Sequence, residues 1–376
     1  MARPKRTKKD AAPSDLSWSA DTELVGLVFE LTPRAADYLY PQYTVGLHAW
    51  FLDQVRQTNP DLSAYLHDGQ SEKPFSISGL EGELLAAGKN LQLKVEESYR
   101  WYVSALSKPV VQWLAQWVQA LPEMIELRDA SFLIRTCEIA LAPTTYDELF
   151  SNAHSPSTTL KLSFLSATSF RRKGNHFPLP VPNNLFHSYL RRWNDFSNQR
   201  FDQDAFLEWV DEGVLIHRHR LESLKVAAGK KGSVTGFTGA IELGLTSSAA
   251  SSQPEFEQLF YALGRLAPYC GTGHKTTFGL GQTRAGWLTQ ETQTVPSQQS
   301  LLAQRIAELQ EHFLSQRKRA GGTRATEIAE TWATILARRE LGESLMAIAS
   351  DMEMRYETVK TYAKLARRAL LNSLEG

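Results

Sequence analysis

The sequence is organised around Gly271–Arg284, GTGHKTTFGLGQTR, which follows a helical pattern and precedes a short closing strand. This segment, the glycine loop, holds four glycines within eleven residues, at positions 271, 273, 279 and 281. Glycine permits close backbone approach, and successive backbone amides form a concave anion site to which Lys275 would add charge. The spacing matches neither the Walker phosphate loop nor the dinucleotide-binding fingerprint. From spacing alone, a glycine-rich hairpin without a ligand is an equally good interpretation.

Upstream of the glycine loop, strand and helix patterns recur in two blocks with a similar order. The first block predicts elements at Leu24–Leu31, Thr44–Gln57, Leu62–His67, Phe75–Leu80, Leu91–Val95, Trp101–Leu106 and Pro109–Leu121, followed by two strands. The second predicts Leu160–Ala167, Asn184–Phe196, Val214–Leu221, Gly236–Leu245, Pro254–Leu266 and the closing strand. This order is typical of an α+β fold with antiparallel sheets and helices on one face, as in ferredoxin-like folds.

Polar, turn-rich stretches divide the 376 residues into predicted regions. Residues 1–20 are a disordered basic tail, and 21–150 and 151–290 are two ferredoxin-like domains, the second carrying the glycine loop. Residues 291–299 are a linker, and 300–376 are an all-helical domain with a helix-turn-helix pattern. We expect this last domain to be separable from the rest, because its helical pattern is self-contained.

Composition excludes several classes of protein. The 41 Lys and Arg residues balance 41 Asp and Glu, which excludes a uniformly basic nucleic-acid binder and makes any basic surface local. Two distant cysteines, Cys137 and Cys270, form neither a disulfide framework nor a zinc site, and they indicate a reducing cytoplasm. No apolar run approaches the ~20 residues that span a bilayer. Neither a metal nor a cofactor is predicted, since no acidic or histidine cluster has metal-ligand spacing.

Four segments together resemble a known family. The segments Gly236–Leu245 and Arg265–Arg284 resemble the carboxy-terminal signature of the CRISPR-associated endoribonucleases that cut precursor CRISPR RNA. These enzymes belong to the repeat-associated RNA-binding superfamily, which is built from RRM-like domains. Leu162–Phe196 resembles the family's strand, basic loop and helix ending in Arg-Arg-Trp, and Asn59–Leu80 resembles its segment with an active-site histidine. The likeness runs in the same order over residues 24–287.

The resemblance implies tandem ferredoxin-like domains and metal-independent RNA cleavage. In the family, the 2′-hydroxyl attacks the adjacent phosphate and leaves a 2′,3′-cyclic phosphate and a 5′-hydroxyl. This chemistry needs a base, an acid and a cation near the phosphorane. Histidine suits the first two roles because it titrates near neutrality, and lysine suits the third as a point charge.

The resemblance assigns the catalytic candidates. His67 falls at the family's histidine position, and Lys73 falls six residues on, where some members carry lysine. The family's tyrosine position corresponds to Leu52, so a third catalytic group is missing there. His48 lies four residues earlier on the same helix face, and either takes that role or is the principal histidine. The alternative is that His48 solvates a helix and Lys73 is an ordinary loop charge.

The predicted RNA contacts combine the glycine loop with two basic stretches. Arg191 and Arg192 also lie at a helix end, where cations offset the helix dipole, so a structural role is an alternative for them. The predicted RNA-binding residues are Gly271, Gly273, His274, Lys275, Gly279, Gly281, Arg171, Arg172, Lys173, Arg191 and Arg192. The RNA partner that the resemblance implies is the CRISPR repeat, and the implied protein partners are effector-complex subunits.

Beyond the family core, residues 344–370 resemble the helix-turn-helix of bacterial regulators and sigma-like proteins. Lys360, Lys364 and Arg367 form a basic stripe beside an apolar one. The region is interpreted either as a binder of duplex nucleic acid or as a module that docks on a protein. Two other functions for the whole chain stay open: a non-catalytic guide-RNA-binding subunit, which would not need His67, and a helix-turn-helix adaptor or regulator.

Overall fold

The computed structural model describes residues 16–67, 72–87, 90–128, 130–152, 159–227, 232–247, 249, 253–288, 297–315 and 323–371. Residues 1–15 of the predicted basic tail and 291–296 of the predicted linker lie outside these ranges. The predicted disorder up to residue 20 is wrong at its end, because Leu16 and Trp18 pack against the first hydrophobic core. The predicted linker likewise ends early, since a helix begins at Ser297.

The first unit, residues 24–151, is a five-stranded antiparallel sheet with helices packed on one face. Its main elements are β1 (Leu24–Pro33), β2 (Tyr38–Leu39), α1 (Tyr43–Thr58), α2 (Pro60–His67), β3 (Phe75–Glu81), β4 (Leu85–Ala87), β5 (Asn90–Gln92), β6 (Tyr99–Ala105), α3 (Lys108–Trp117), β7 (Met124–Leu127), β8 (Ala130–Thr144) and α4 (Tyr146–Ser151). The sheet order is β3-β6-β1-β8-β7. The four principal strands therefore have the ferredoxin-like order 4-1-3-2.

The second unit, residues 159–285, repeats this arrangement. Its main elements are β9 (Thr159–Thr168), β10 (Phe170–Arg172), β11 (Asn175–Phe177), α5 (Pro182–Phe196), α6 (Gln203–Gly213), β12 (Val214–Ala227), β13 (Ser233–Leu245), α7 (Pro254–Cys270) and β14 (Thr283–Ala285). The sheet order β12-β13-β9-β14 is again 4-1-3-2. The predicted tandem ferredoxin-like fold is confirmed.

Two elements of the second unit were not predicted. Helix α6 is capped by Asp202, whose side chain accepts a hydrogen bond from the Ala205 N–H. Strands β10 and β11 form a hairpin where the sequence indicated only a basic turn. Strands β10 and β11 have three residues each, too few to show an apolar alternation. Helix α6 does bury Phe206, Trp209 and Val210 at helical spacing, a pattern that the prediction overlooked.

The alternation of β1 shows how the first unit uses its two faces. Val25, Leu27 and Phe29 are fully buried in the core beneath the helices. The opposite face, with Val28 and Glu30, lines a cleft of about 640 Å³ that strand β14 of the second unit also lines. The sheet faces of the two units are therefore turned toward each other.

The tail, residues 297–371, is entirely helical in the ranges that the structure describes. Its helices are α8 (Ser297–Ser315), α9 (Thr323–Glu340), α10 (Leu345–Asp351) and α11 (Tyr356–Leu371). Ala227 at the end of β12 belongs to the same core as α8 and α9, and the Gly232 N–H donates to Thr334 Oγ1 at 2.9 Å. The tail thus packs on the end of the second unit's sheet.

The tail also contacts the first unit, around Arg338. This arginine is fully buried, donates to Glu343 and Asp351, and lies 4.8 Å from the ring centre of Tyr40. Arg128, in the turn between β7 and β8, donates to the same Asp351 carboxylate at 2.8 Å. The sequence pattern suggested a self-contained domain, and it gave no sign of these contacts with both units.

Candidate active site

His48 lies on α1 and is fixed by the glycine loop. Its Nδ1 is 2.8 Å from the carbonyl oxygen of Thr277, and its ring stacks on Phe278 with centroids 4.1 Å apart. A carbonyl oxygen only accepts hydrogen bonds, so Nδ1 carries the proton and Nε2 is the basic nitrogen of the neutral ring. The ring also stacks on Phe75 at 6.0 Å. His48 is therefore oriented at the contact between the two units.

His67 and Lys73 lie together at the end of α2. His67 is the last residue of that helix and is exposed. The Lys73 Nζ donates to the carbonyl oxygen of Leu66 at 2.6 Å, which places the ammonium beside the helix terminus that carries His67. Leu52, at the family's tyrosine position, packs against the first core and supplies no titratable group. Any third group at this site comes from elsewhere, and His48 lies one turn earlier on α1.

The segment 72–77, which we call the site segment, links these residues to the second unit. Ser76 Oγ donates to the carbonyl oxygen of Tyr269 at 2.6 Å. The Ile77 N–H donates to the Thr276 carbonyl at 3.0 Å, and the Ile77 carbonyl accepts from the Gly279 N–H at 3.1 Å. The glycine loop thus pairs with the start of β3, directly after Lys73 and Phe75.

Glu72 begins the site segment and joins it to helix α5. Its carboxylate forms ion pairs with Arg191 and with Arg192, the latter at 3.2 Å. Arg192 is only 5% exposed, and it also donates to the carbonyl oxygen of Gly273 at 2.8 Å. Its guanidinium therefore bridges the site segment and the glycine loop. This arrangement favours the structural alternative for Arg192, because its buried guanidinium is held by Glu72 and the Gly273 carbonyl.

The glycine loop does not offer its glycine amides to an anion. All four glycine N–H groups donate hydrogen bonds within the protein. Gly271 donates to the Ala267 carbonyl and Gly273 to Ser188 Oγ. Gly279 donates to the Ile77 carbonyl and Gly281 to the Ala167 carbonyl. The anion site that the spacing suggested is thus not formed by these amides. A contact of the loop with a phosphate would therefore use side chains such as Lys275, or backbone amides other than these four.

Glycine is required here for packing. Gly279 has φ +79°, and a Cβ at this position would lie 2.8 Å from Thr44 Cγ2 on α1 and 3.1 Å from the backbone of Gly79. Gly281 has φ +67°, and its Cβ would lie 2.0 Å from the Thr272 carbonyl oxygen. Both conformations disfavour residues with a side chain. The glycines therefore let the second unit approach α1 and β3 closely.

His274 faces inward and stacks on His176, with ring centroids 5.5 Å apart. Its Nδ1 is 2.8 Å from the carbonyl oxygen of Ser169, and its Nε2 is buried and has no hydrogen-bond partner among the residues that the structure describes. Burial lowers the pKa of His274 to about 4, and burial followed by the charge of Arg171 lowers the pKa of His176 to about 4. Both rings are therefore neutral near pH 7. The predicted RNA contact through His274 would have no positive charge.

The basic hairpin, residues 170–177, remains an exposed candidate for RNA contact. Arg171, Arg172 and Lys173 are all exposed, and the Arg172 guanidinium lies 5.3 Å from the ring centre of Phe177. Arg171 and Lys275 are both close enough to His274 to lower its pKa. One cation of the hairpin and one of the glycine loop therefore lie near the same histidine.

Sequence reasoning missed three residues of this site. Glu72 lies between His67 and Lys73 in sequence. Its position there gave no sign that its carboxylate joins the site segment to Arg191 and Arg192. Ser188 accepts from the Gly273 N–H and from Arg192. His187 lies one turn before Arg191, and its pKa is lowered by burial and by the nearby Arg191 charge.

Within the described ranges, His, Cys, Asp and Glu side chains form no group of three or more that could hold a metal ion. Those ranges also contain no helix with the length and apolar character that crossing a membrane requires.

Comparison with protein families gives two matches. The family model described as CRISPR-associated endoribonuclease Cas6 matches residues 162–283, and the one described as CRISPR Cas6 N-terminal domain matches residues 25–118. Together they span more than half of the chain, and neither reaches the tail. No curated protein matches the chain.

Comparison with solved structures gives the same family. A Cas6 product complex is 28% identical with a TM-score of 0.55, and covers 70% of this chain and 99% of its own. A Cas6 substrate mimic complex is 27% identical with a TM-score of 0.54, and covers 70% and 100%. Thermus thermophilus Cas6 shares the fold: it is 22% identical with a TM-score of 0.52, and covers 70% of this chain and 99% of its own.

Proposed function

We propose that this chain, which belongs to the CRISPR-associated endoribonuclease Cas6 family, cuts RNA with its own side chains and without a metal ion. As a family member, the chain is an endoribonuclease that processes CRISPR repeat RNA. One observation carries the finer proposal. His48, Lys73 and the helix end bearing His67 all adjoin the site segment, where the two units meet.

In the proposed reaction, the 2′-hydroxyl oxygen bonds to the adjacent phosphorus and the bond from phosphorus to the 5′-oxygen breaks. His48 accepts the 2′-hydroxyl proton at Nε2, because the Thr277 carbonyl holds its Nδ1–H. His67 donates a proton to the departing 5′-oxygen. The products are a 2′,3′-cyclic phosphate and a 5′-hydroxyl, so atoms and protons balance without water.

Lys73 supplies the positive charge for the phosphorane. An ammonium has three donors, and the bond to the Leu66 carbonyl uses one of them. That bond fixes the Nζ position beside His67, so the charge is in place before the phosphorane forms. Preorganised charge of this kind stabilises the transition state more than the bound substrate.

RNA binding is assigned to cations of the second unit, three of them exposed and one, Lys275, half-buried. Arg171, Arg172 and Lys173 of the basic hairpin and Lys275 of the glycine loop contact phosphates. Arg191 is 43% exposed at its side chain and pairs with Glu72, so it lies at the edge of this surface. The affinity therefore depends on several separate charges and on salt concentration.

The test is cleavage of a candidate repeat RNA by the full chain in EDTA, with both new ends mapped. We expect cleavage to persist, with a 2′,3′-cyclic phosphate on one product and a 5′-hydroxyl on the other. Loss of activity in EDTA and its return with a divalent ion would contradict the mechanism. A chain that binds the repeat tightly but never cuts it would instead be a non-catalytic guide-RNA subunit.

A further inference from the structure

The helices at the end of the tail form a helix-turn-helix. Their shared core consists of Ile335, Ile348, Ala349, Met352, Val359 and Ala363. Ser344 caps α10 by accepting from the Ala347 N–H at 3.1 Å. The chain then reverses at Glu353, which has φ +51°, and the Met354 N–H donates to the Ala349 carbonyl at 2.9 Å. This tight turn leads directly into α11, the position of a recognition helix.

Helix α11 has two chemically different faces. Val359, Ala363 and Ala366 are buried against the other helices of the tail. The face toward solvent and the residue before the helix carry one acid, Glu357, against five exposed cations: Arg355, Lys360, Lys364, Arg367 and Arg368. Lys360 lies 3.6 Å from Glu357, so one of the five cations is partly neutralised. The exposed face is strongly positive in a chain whose net charge is zero.

The contacts of the tail with the two units use other residues. Arg338 on α9 and Asp351 on α10 face Tyr40 and Arg128 of the first unit, and α8 covers the end of β12. Among the described residues, these contacts involve none of the five cations. Contacts within the chain therefore account for the charged residues Arg338 on α9 and Asp351 on α10. They do not account for the positive charge of α11.

We propose that α11 binds duplex DNA through its basic face, at a site separate from the RNA-cleavage site. The chemistry complementary to five cations on one helix is a row of phosphates. The B-form major groove is about 12 Å wide and admits an α-helix, whereas the A-form RNA groove is deep and too narrow for side chains to read. The helix-turn-helix geometry therefore favours DNA over a duplex stem of the repeat RNA.

The test uses the full chain and a labelled 30-base-pair DNA duplex of mixed sequence, with an RNA hairpin of similar charge as the competitor. The variant Lys364→Glu/Arg367→Glu reverses two charges on α11. The matched control, Arg220→Glu/Arg324→Glu, makes the same charge change at exposed positions on β12 and α9. Thermal unfolding of each variant verifies that the chain remains folded.

We expect the chain to bind this DNA at low salt, and the α11 variant to bind it at least about tenfold more weakly than the control variant. The slope of log affinity against log salt should fall by about 2, one for each lost phosphate contact. Repeat-RNA cleavage should be the same in both variants, so failure of this proposal is separate from failure of the proposed catalysis. No DNA binding, equal loss in both variants, or tighter binding of the RNA hairpin through the same residues would overturn it.

Discussion

The first and second units share the strand order 4-1-3-2 but divide the work of the site between them. The first unit carries His48, His67 and Lys73, on or just after its first two helices. The second unit has no catalytic candidate. It contributes the glycine loop, which accepts the Nδ1–H of His48 through Thr277 and pairs with β3 at Ile77. In the proposed mechanism, the same fold serves once to present the catalytic candidates and once to hold them.

This division explains which features the second unit keeps. Its glycines allow close packing on α1, and Arg192 ties Glu72 to the Gly273 carbonyl. The basic hairpin faces solvent and is assigned to RNA. Substitutions in the first unit should therefore change the chemical step, and substitutions in the glycine loop should change how well the site is assembled.

The largest expected effect is that of His67→Ala. Loss of one acid–base group should lower the single-turnover cleavage rate by about 10²–10⁴-fold, because proton transfer contributes that much. The dissociation constant for repeat RNA should stay nearly unchanged, since binding is spread over several cations. His219→Ala, an exposed histidine on β12, is the control, and His48→Ala tested in parallel compares the two catalytic histidines. An active His67→Ala enzyme would remove His67 from the mechanism.

A smaller effect is expected for Gly279→Ala, which tests the assembly role of the glycine loop. The methyl group would meet Thr44 and the Gly79 backbone at a φ of +79°. Gly286→Ala is the control, because Gly286 has φ +95° and nothing within 4 Å of the added Cβ. We expect the control to cost about 1–2 kcal/mol of unfolding free energy from backbone strain alone. Gly279→Ala should cost about 1–3 kcal/mol more from overpacking, and it should also slow cleavage. Equal urea midpoints for the two variants would mean that the contact with α1 is unimportant.

A separate, pH-dependent effect on stability is expected from the buried histidine pair of the second unit. The pKa of His274 falls from 6.5 to about 4 on folding, so between these values the unfolded chain binds a proton that the folded chain does not. Stability should therefore fall as the pH drops from 6.5 toward 4. Unfolding free energies of His274→Leu should decline less steeply over this interval than those of the parent. His219→Gln serves as the exposed control, and identical slopes in all three proteins would contradict the buried neutral ring.

The sequence predicted the fold well because the strands and helices are strongly patterned. Helix α1 was expected at Thr44–Gln57 and spans Tyr43–Thr58, and β13 was expected at Gly236–Leu245 and spans Ser233–Leu245. The family resemblance and the two ferredoxin-like units are confirmed. The contacts of the tail were not predictable. In the sequence Arg338 and Arg128 look like exposed charges, and only the folded chain places them next to Tyr40 and Asp351.

The site was predictable only in part. The family motif singled out His67 and Lys73, and the structure places the Lys73 ammonium on the carbonyl of Leu66, the residue before His67. For the glycines the sequence left two interpretations open, because spacing does not distinguish an amide that binds a phosphate from one that donates to Ile77 or Ala167. For Arg192 it left a structural role as the alternative, and the buried contacts with Glu72 and Gly273 favour that role. The roles of the other candidate residues as RNA contacts or catalytic groups stay predictions.

The central claim is that the second unit positions the site segment of the first, and Arg192→Lys tests it most directly. Lysine keeps the charge but cannot bridge Glu72 and the Gly273 carbonyl as a planar guanidinium does. The measurement is the single-turnover cleavage rate and the RNA dissociation constant of Arg192→Lys, beside the partly exposed neighbour variant Arg191→Lys. We expect Arg192→Lys to cut about 10–100-fold more slowly with unchanged affinity, because small misplacements of reacting groups have effects of this size. An unchanged rate with weakened binding would show that Arg192 is an RNA contact, and would contradict the claim.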